Sequence, residues 1–254
     1  METKLKDYAR TLRISDVADL HQEVEFEDRH QYLTELFRLA IEGRKTRKAE
    51  RLIKRAGFPN TDTLQGYDFE PVNLPKGLDL DSLTDLQFID DKENLLMVGA
   101  VGTGKTRLAV SLGMKACLRG MSVKFHRAAD LCNTLLELHP AGKAGKLIRD
   151  ISSADLFILD EVGYVPFSKS AAEMLFTVIS NSYENQSIIT TSNLEFGRWN
   201  EVFGDQRLTA ALIDRLVHHA HIITFSGTSY RLRQALSRID EEDALLGDAT
   251  LTEN

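Results

Sequence analysis

The chain has 254 residues and a mass of 28.6 kDa, with 43% hydrophobic and 27% charged side chains. That composition excludes collagen-like and wholly disordered chains, and no apolar run approaches the length of a bilayer span. The formal net charge of −7 argues against a nucleic-acid partner only until it is mapped. From Asp240 onward the chain holds six acidic residues and no basic one, leaving 32 acidic and 31 basic residues ahead of them.

Residues 1–60 are expected to form a small helical domain, with Tyr32, Leu33, Leu36, Phe37 and Ala40 at helical spacing. Its last stretch is basic: seven Lys or Arg residues and one acid, Glu50, lie between Arg44 and Arg55. On a helix, Arg44, Lys48, Arg51 and Arg55 share one face, a ridge that can follow a phosphate backbone. A solvated helix face has the same pattern. A loop rich in Pro, Gly and Asp runs from Phe58 to Gly77, and residues 61–93 are expected to hold the linker and the start of the next domain.

The core expected over residues 94–235 alternates short apolar strands with amphipathic helices. Asn94 to Val98, Ser122 to Phe125, Leu156 to Leu159, Ser187 to Thr191 and His221 to Phe225 have strand length and content. Ala172, Leu175, Phe176 and Ile179 mark a helix that Ser168 would cap, and Gly120 would stop the helix begun at Lys105. The expected fold is α/β: a parallel five-stranded sheet between helices. Residues 236–254 form an acidic tail. The amino terminus lacks an apolar signal core, and Cys117 and Cys132 cannot make a disulfide framework, so a reduced, cytoplasmic protein without membrane contact is expected.

Gly99-Ala100-Val101-Gly102-Thr103-Gly104-Lys105-Thr106 satisfies G-x-x-x-x-G-K-[ST] at every defined position, between an apolar strand and a helix. Its backbone N–H groups can close around a phosphate at a helix N-terminus, and Arg107 extends the same nucleotide-binding segment. Lys105 would reach the β- and γ-phosphates of ATP, and the Thr106 hydroxyl would ligate Mg²⁺. Leu156 to Leu159 leads directly into Asp160 and Glu161. Asp160 would hold Mg²⁺ and Glu161 would act as general base on the attacking water. Asn193, at the tip of the Ser187 to Thr191 strand, should fall near the nucleotide and orient that water. His218, His219 and His221 suggest a metal site. On a helix, however, the first two cannot share a face, and no Cys or carboxylate falls at ligand spacing, so packing is the expected role.

With these residues in view, the sequence resembles AAA+ ATPases, and more closely the IstB family of transposition helper ATPases, with the DnaC helicase loader a cousin. Further matching segments are Tyr67-Asp68-Phe69, Glu93-Asn94, Val162-Gly163-Tyr164, Asp214-Arg215-Leu216 with His218-His219, and Gly227 to Arg231. The resemblance implies that Asn193 is sensor 1 and that Arg215 is an arginine finger acting on a neighbouring subunit's ATP, hence a homo-oligomer. Arg207 is the other candidate finger. It implies a core without the C-terminal helical lid, in which Arg231 or Arg233 supplies a cation, and Tyr67 and Phe69 packing on adenine. It also favours double-stranded DNA as the partner of the basic ridge, with Lys143 and Lys146 as a second contact.

Two departures from the family pattern stand out: Ala100-Val101 where relatives often carry two prolines, and Ser182 where many carry Arg. The resulting expectation is a DNA-stimulated ATPase that assembles on duplex DNA and regulates a cognate transposase in DNA transposition. The alternative is a DnaC-like helicase-loading adaptor using ATP as a switch. A small-molecule phosphotransferase would need a substrate lid and an acceptor pocket, and no segment supplies either.

Overall fold

The computed structural model describes residues 2–25 and 28–227. Arg231, Arg233 and the acidic tail lie outside the described residues. The chain opens with α1 (Glu2–Thr11), α2 (Ser15–Leu20) and the 28-residue α3 (Arg29–Ala56). Asp28 caps α3 by accepting from the backbone N–H of His30 and Gln31, and Gly57 ends it in the left-handed conformation. Leu36 and Ala40 are buried, whereas Leu33, Phe37 and Ile41, on the adjoining face of the helix, are exposed.

The last turns of α3 pack on the nucleotide-binding core, where Ala56 is buried and Leu52 and Ile53 lie against the same cluster. The core continues through β1 (Val72–Asn73), the short α4 (Leu80–Thr84) and α5 (Gln87–Asp90), β2 (Asn94–Gly99), α6 (Lys105–Leu118), β3 (Val123–Arg127), α7 (Ala128–Leu138) and α8 (Ala144–Ser152). It ends with β4 (Leu156–Val162), α9 (Lys169–Ser182), β5 (Ser187–Ser192), α10 (Asn200–Phe203), α11 (Gln206–Val217) and β6 (Ala220–Phe225). The Ser168 hydroxyl accepts from Ala171 N–H at the start of α9, and Gly120 follows α6 with a φ of 86°.

The sheet has six strands in the order β1-β6-β2-β5-β4-β3. Five are parallel, as the alternating pattern implied; the sixth corrects that expectation. Val72 and Asn73, inside the Pro- and Gly-rich loop, pair antiparallel with Phe225 and Thr224. Two residues carry no periodicity, and their pairing covers what would otherwise be the open edge of β6.

Successive side chains along each strand alternate between two clusters. Leu95, Met97, Leu156, Ile158 and Ile189 point toward α6 and the end of α3. Leu96, Phe157, Leu159 and Ile188 point toward α7, α9 and α11. Cys117 and Cys132 sit on these opposite faces as free thiols, and burial pushes both pKa values up to about 12, so neither is a nucleophile at neutral pH.

Strand order sets where a ligand can bind. The loop after β2 emerges at the centre of the sheet, flanked by the C-terminal ends of β5 and β6. At the other edge, buried Asn94 ties three elements together. Its backbone N–H donates to His219 O at 2.7 Å, its Nδ2 donates to Leu216 O at 3.0 Å, and its Oδ1 accepts from Ile188 N at 2.9 Å. Asn94→Ala leaves the buried Ile188 N–H unsatisfied. It should cost about 1–3 kcal/mol, read as a lower urea midpoint at unchanged m-value.

Candidate nucleotide site

The phosphate loop spans the end of β2 and the start of α6. Gly99 is required by close approach: a Cβ there would sit 2.5 Å from Phe225 O. The Lys105 side chain is buried and folds back over its own loop, donating to Gly99 O at 2.7 Å and Ala100 O at 2.6 Å. An ammonium held by two carbonyls and surrounded by backbone N–H groups is poised to exchange those acceptors for phosphate oxygens.

Beside it lies a cavity of about 290 Å³, lined among others by Gly102, Lys105, Thr106, Arg107, Tyr67 and Glu161. The Tyr67 hydroxyl donates to Gly104 O at 3.2 Å, and the Arg107 guanidinium lies 5.6 Å from the Tyr67 ring centre. Desolvation raises the Tyr67 pKa, so the phenol stays protonated and keeps this donor role. Phe69 meets Tyr67 edge-on at 4.7 Å and packs against the core behind it, outside the cavity lining.

The two carboxylates at the end of β4 are separated in role by a bulge. The β4–β5 register runs Leu159↔Thr190 and then Val162↔Ser192, so Asp160 and Glu161 together oppose Thr191. Glu161 takes a φ of 60°, which aims its side chain away from the strand repeat and into the cavity. Thr191 stabilises this geometry from both sides. Its hydroxyl donates to Asp160 Oδ1 at 2.6 Å and accepts from Glu161 N at 2.9 Å.

Asp160 is fully buried. Its Oδ1 also accepts from the Thr106 hydroxyl at 2.9 Å, while Oδ2 has no hydrogen-bond partner among the described residues. A buried carboxylate with one oxygen unmatched, touching a hydroxyl at the base of a phosphate loop, fits a hard divalent cation with oxygen ligands.

Asn193 follows β5, one residue beyond the cavity-lining Ser192, and its Oδ1 is buried without a partner among the described residues. Arg215, on α11, lies outside this cavity. Its guanidinium stacks over the Phe176 ring at 4.5 Å and donates to Ala211 O at 3.1 Å. Neither Asp214 nor Glu201 holds it in an ion pair; Glu201 is taken by Arg198. Arg207, on the same helix, is exposed. Ser182 is buried and donates to Val178 O at 3.0 Å, a setting that leaves no room for a cation.

Two residues that the motifs did not flag belong to this site. Thr191 reads in sequence as one more β-branched strand residue, one hydroxyl among those of Ser187, Thr190 and Ser192 in the same strand. Arg127, at the end of β3, places Nε 3.6 Å from Glu161 Oε2 and so pairs with that carboxylate. Nothing local to Arg127 marks it; only the β3–β4 pairing, Arg127↔Asp160, brings it there.

The basic ridge lies on one continuous helix, with Arg44, Lys48, Arg51 and Arg55 all exposed. Part of it is already engaged: Arg44 and Arg47 both pair with Asp16 of α2, and Arg44 also donates to Arg13 O. Lys143 and Lys146, at the start of α8, are exposed on the other face of the molecule's sheet.

Comparison with known proteins agrees with this geometry. The family model described as IstB-like ATP binding protein matches residues 2–238. The ATP-binding protein of insertion sequence IS5376 from Geobacillus stearothermophilus is 36% identical over 95% of this chain and 98% of its own length. That of insertion sequence IS21 from Pseudomonas aeruginosa is 37% identical over 76% of this chain and 72% of its own length. Among solved structures, the replication initiator DnaA bound to AMPPCP and single-stranded DNA aligns with a TM-score of 0.54 at 19% identity. That alignment covers 73% of this chain and 56% of the initiator. The DnaC helicase loader aligns with a TM-score of 0.50 at 22% identity, covering 66% of this chain and 98% of the loader. At those identities the structural likeness speaks for the fold, which is that of AAA+ phosphate-loop proteins. The sequence likeness speaks for more: this chain belongs to the IstB-like ATP-binding family.

Proposed function

We propose that the protein is an ATPase that assembles on double-stranded DNA, hydrolyses ATP at subunit contacts and thereby regulates a transposase. The observation that carries the hydrolytic part is the Thr106–Asp160–Thr191 chain beside Glu161, at the mouth of the phosphate loop. In this reading Gly99 to Arg107 bind the triphosphate, with Lys105 on its β- and γ-phosphates and Tyr67 beside the loop. Thr106 and Asp160 hold Mg²⁺, which supplies charge neutralisation on the phosphate oxygens.

Glu161 takes the proton of the attacking water once Arg127 releases it, and Asn193 orients that water. Because Arg215 lies outside its own chain's cavity, it acts on ATP held by a neighbouring copy. The exposed residues Arg44, Lys48, Arg51 and Arg55 follow a DNA backbone through charge, without reading bases, and Lys143 and Lys146 add a second contact. The transposase partner is supported by the relatives' places in insertion sequences.

Five outcomes test this reading. Lys105→Ala should abolish nucleotide binding, measured by calorimetry, whereas Glu161→Gln should bind ATP and lose at least about 100-fold in turnover. A Glu161→Gln protein turning over at the wild-type rate would sink the assignment of the base. Thr191→Val removes the hydroxyl shared by Asp160 and Glu161 N–H, and kcat should fall about 10–100-fold in a folded protein. Arg215→Ala and Lys105→Ala should each be inactive alone, and mixing them should restore hydrolysis if the arginine acts across subunits. Finally, ATPase rate and particle size should both rise with duplex length at low salt and fall together as salt increases; rates indifferent to DNA overturn the assembly model. Co-purification with a replicative helicase in place of a transposase would transfer the partner role to helicase loading.

A further inference from the structure

The sequence offers no carboxylate at ligand spacing from His218 and His219, and on a helix the two rings diverge. The structure changes both premises. Helix α11 ends at Val217, so His218 and His219 occupy the turn before β6. The turn between α9 and β5 brings Glu184 beside them. One ligand atom from each of Glu184, His218 and His219 lies within 4.8 Å of the other two, and all three side chains are exposed.

We infer that Glu184, His218 and His219 form a binding site for one divalent transition-metal ion of the zinc type, at the sheet edge opposite the phosphate loop. Tetrahedral zinc places its ligand atoms about 3.3 Å apart, from bond lengths near 2.0–2.1 Å. Exposed side chains close the remaining gap by small torsional changes. Two imidazoles and one carboxylate select zinc, cobalt or nickel over magnesium, which prefers an all-oxygen shell. Three protein ligands leave a fourth position for water or for a donor from another molecule.

Two further observations support the cluster. Glu184 and His219 both hold left-handed backbone, with φ of 58° and 97°, although neither is glycine. Such conformations persist where the surroundings impose them. Asn94 binds His219 O and Ile188 N–H, and so joins the turn before β6 to the strand that follows Glu184.

The Tyr183 hydroxyl lies 2.8 Å from His218 Nδ1. That contact ties the His218 ring to a neighbouring side chain and so restricts its orientation beside Glu184 and His219.

The test uses the full, untagged chain without nucleotide. Calorimetry with ZnCl₂ should give one equivalent bound, and CoCl₂ should produce the visible absorption of a four-coordinate imidazole–carboxylate site. Excess Mg²⁺ should leave both unchanged, which separates this site from Asp160 and Thr106. Glu184→Gln and His219→Asn, the latter keeping left-handed tendency, should each weaken Zn²⁺ binding at least about 10-fold with the metal-free Tm unchanged. Tyr183→Phe should weaken it about 10-fold. Equal Zn²⁺ affinity in the wild type and the Glu184→Gln/His219→Asn double variant, or displacement by Mg²⁺, overturns the proposal.

Discussion

A carboxylate with no solvent exposure is costly to bury, and the arrangement around Asp160 is organised by that cost. Two hydroxyls, from Thr106 and Thr191, share one of its oxygens, and the other has no hydrogen-bond partner among the described residues. The first hydroxyl requires the helix after β2 to start beside the end of β4; the second requires β5 to lie between those strands. The observed order β6-β2-β5-β4 meets both conditions. The bulge opposite Thr191 then separates the two acidic neighbours, one inward and one into the cavity.

The nucleotide-binding segment was legible in the sequence because its requirements are local. Close backbone approach at Gly99, a lysine at the first position of a helix, and acids at a strand end each leave a short signature. The strands were legible for the same reason, since each is an apolar run of about its observed length. What escaped depended on pairing between distant segments. β1 is two residues long and exists only because β6 runs past it. Arg127 reaches Glu161 through the β3–β4 register. The approach of Glu184 to the histidine pair depends on a helix boundary: carrying α11 two residues further points His218 and His219 apart, whereas stopping at Val217 lets them meet Glu184. Helix ends are set by capping and tertiary contacts, so a periodic pattern places them poorly.

Charge distribution follows the same division between local and distant. The concentration of Lys and Arg near the end of α3 is visible in the sequence. That Asp16 draws on Arg44 and Arg47 is not, because the partners are about 30 positions apart and meet only when α2 folds back on α3. Lys48, Arg51 and Arg55, which form no ion pair among the described residues, sit toward the C-terminal end of the helix, close to the core.

Helix α3 gives the molecule a mechanical property as well. Its 28 residues run without interruption for about 42 Å, at about 1.5 Å per residue. Its final turns are set into the core against α6, the helix that begins at Lys105. A stiff rod clamped at one end is a lever: a tilt of about 10° at the base carries the far end through about 7 Å, given that length. Any tilt of α3 at its base would be amplified along its length, and the exposed Leu33, Phe37 and Ile41 nearer its other end would travel farther than the clamped residues Leu52 and Ile53.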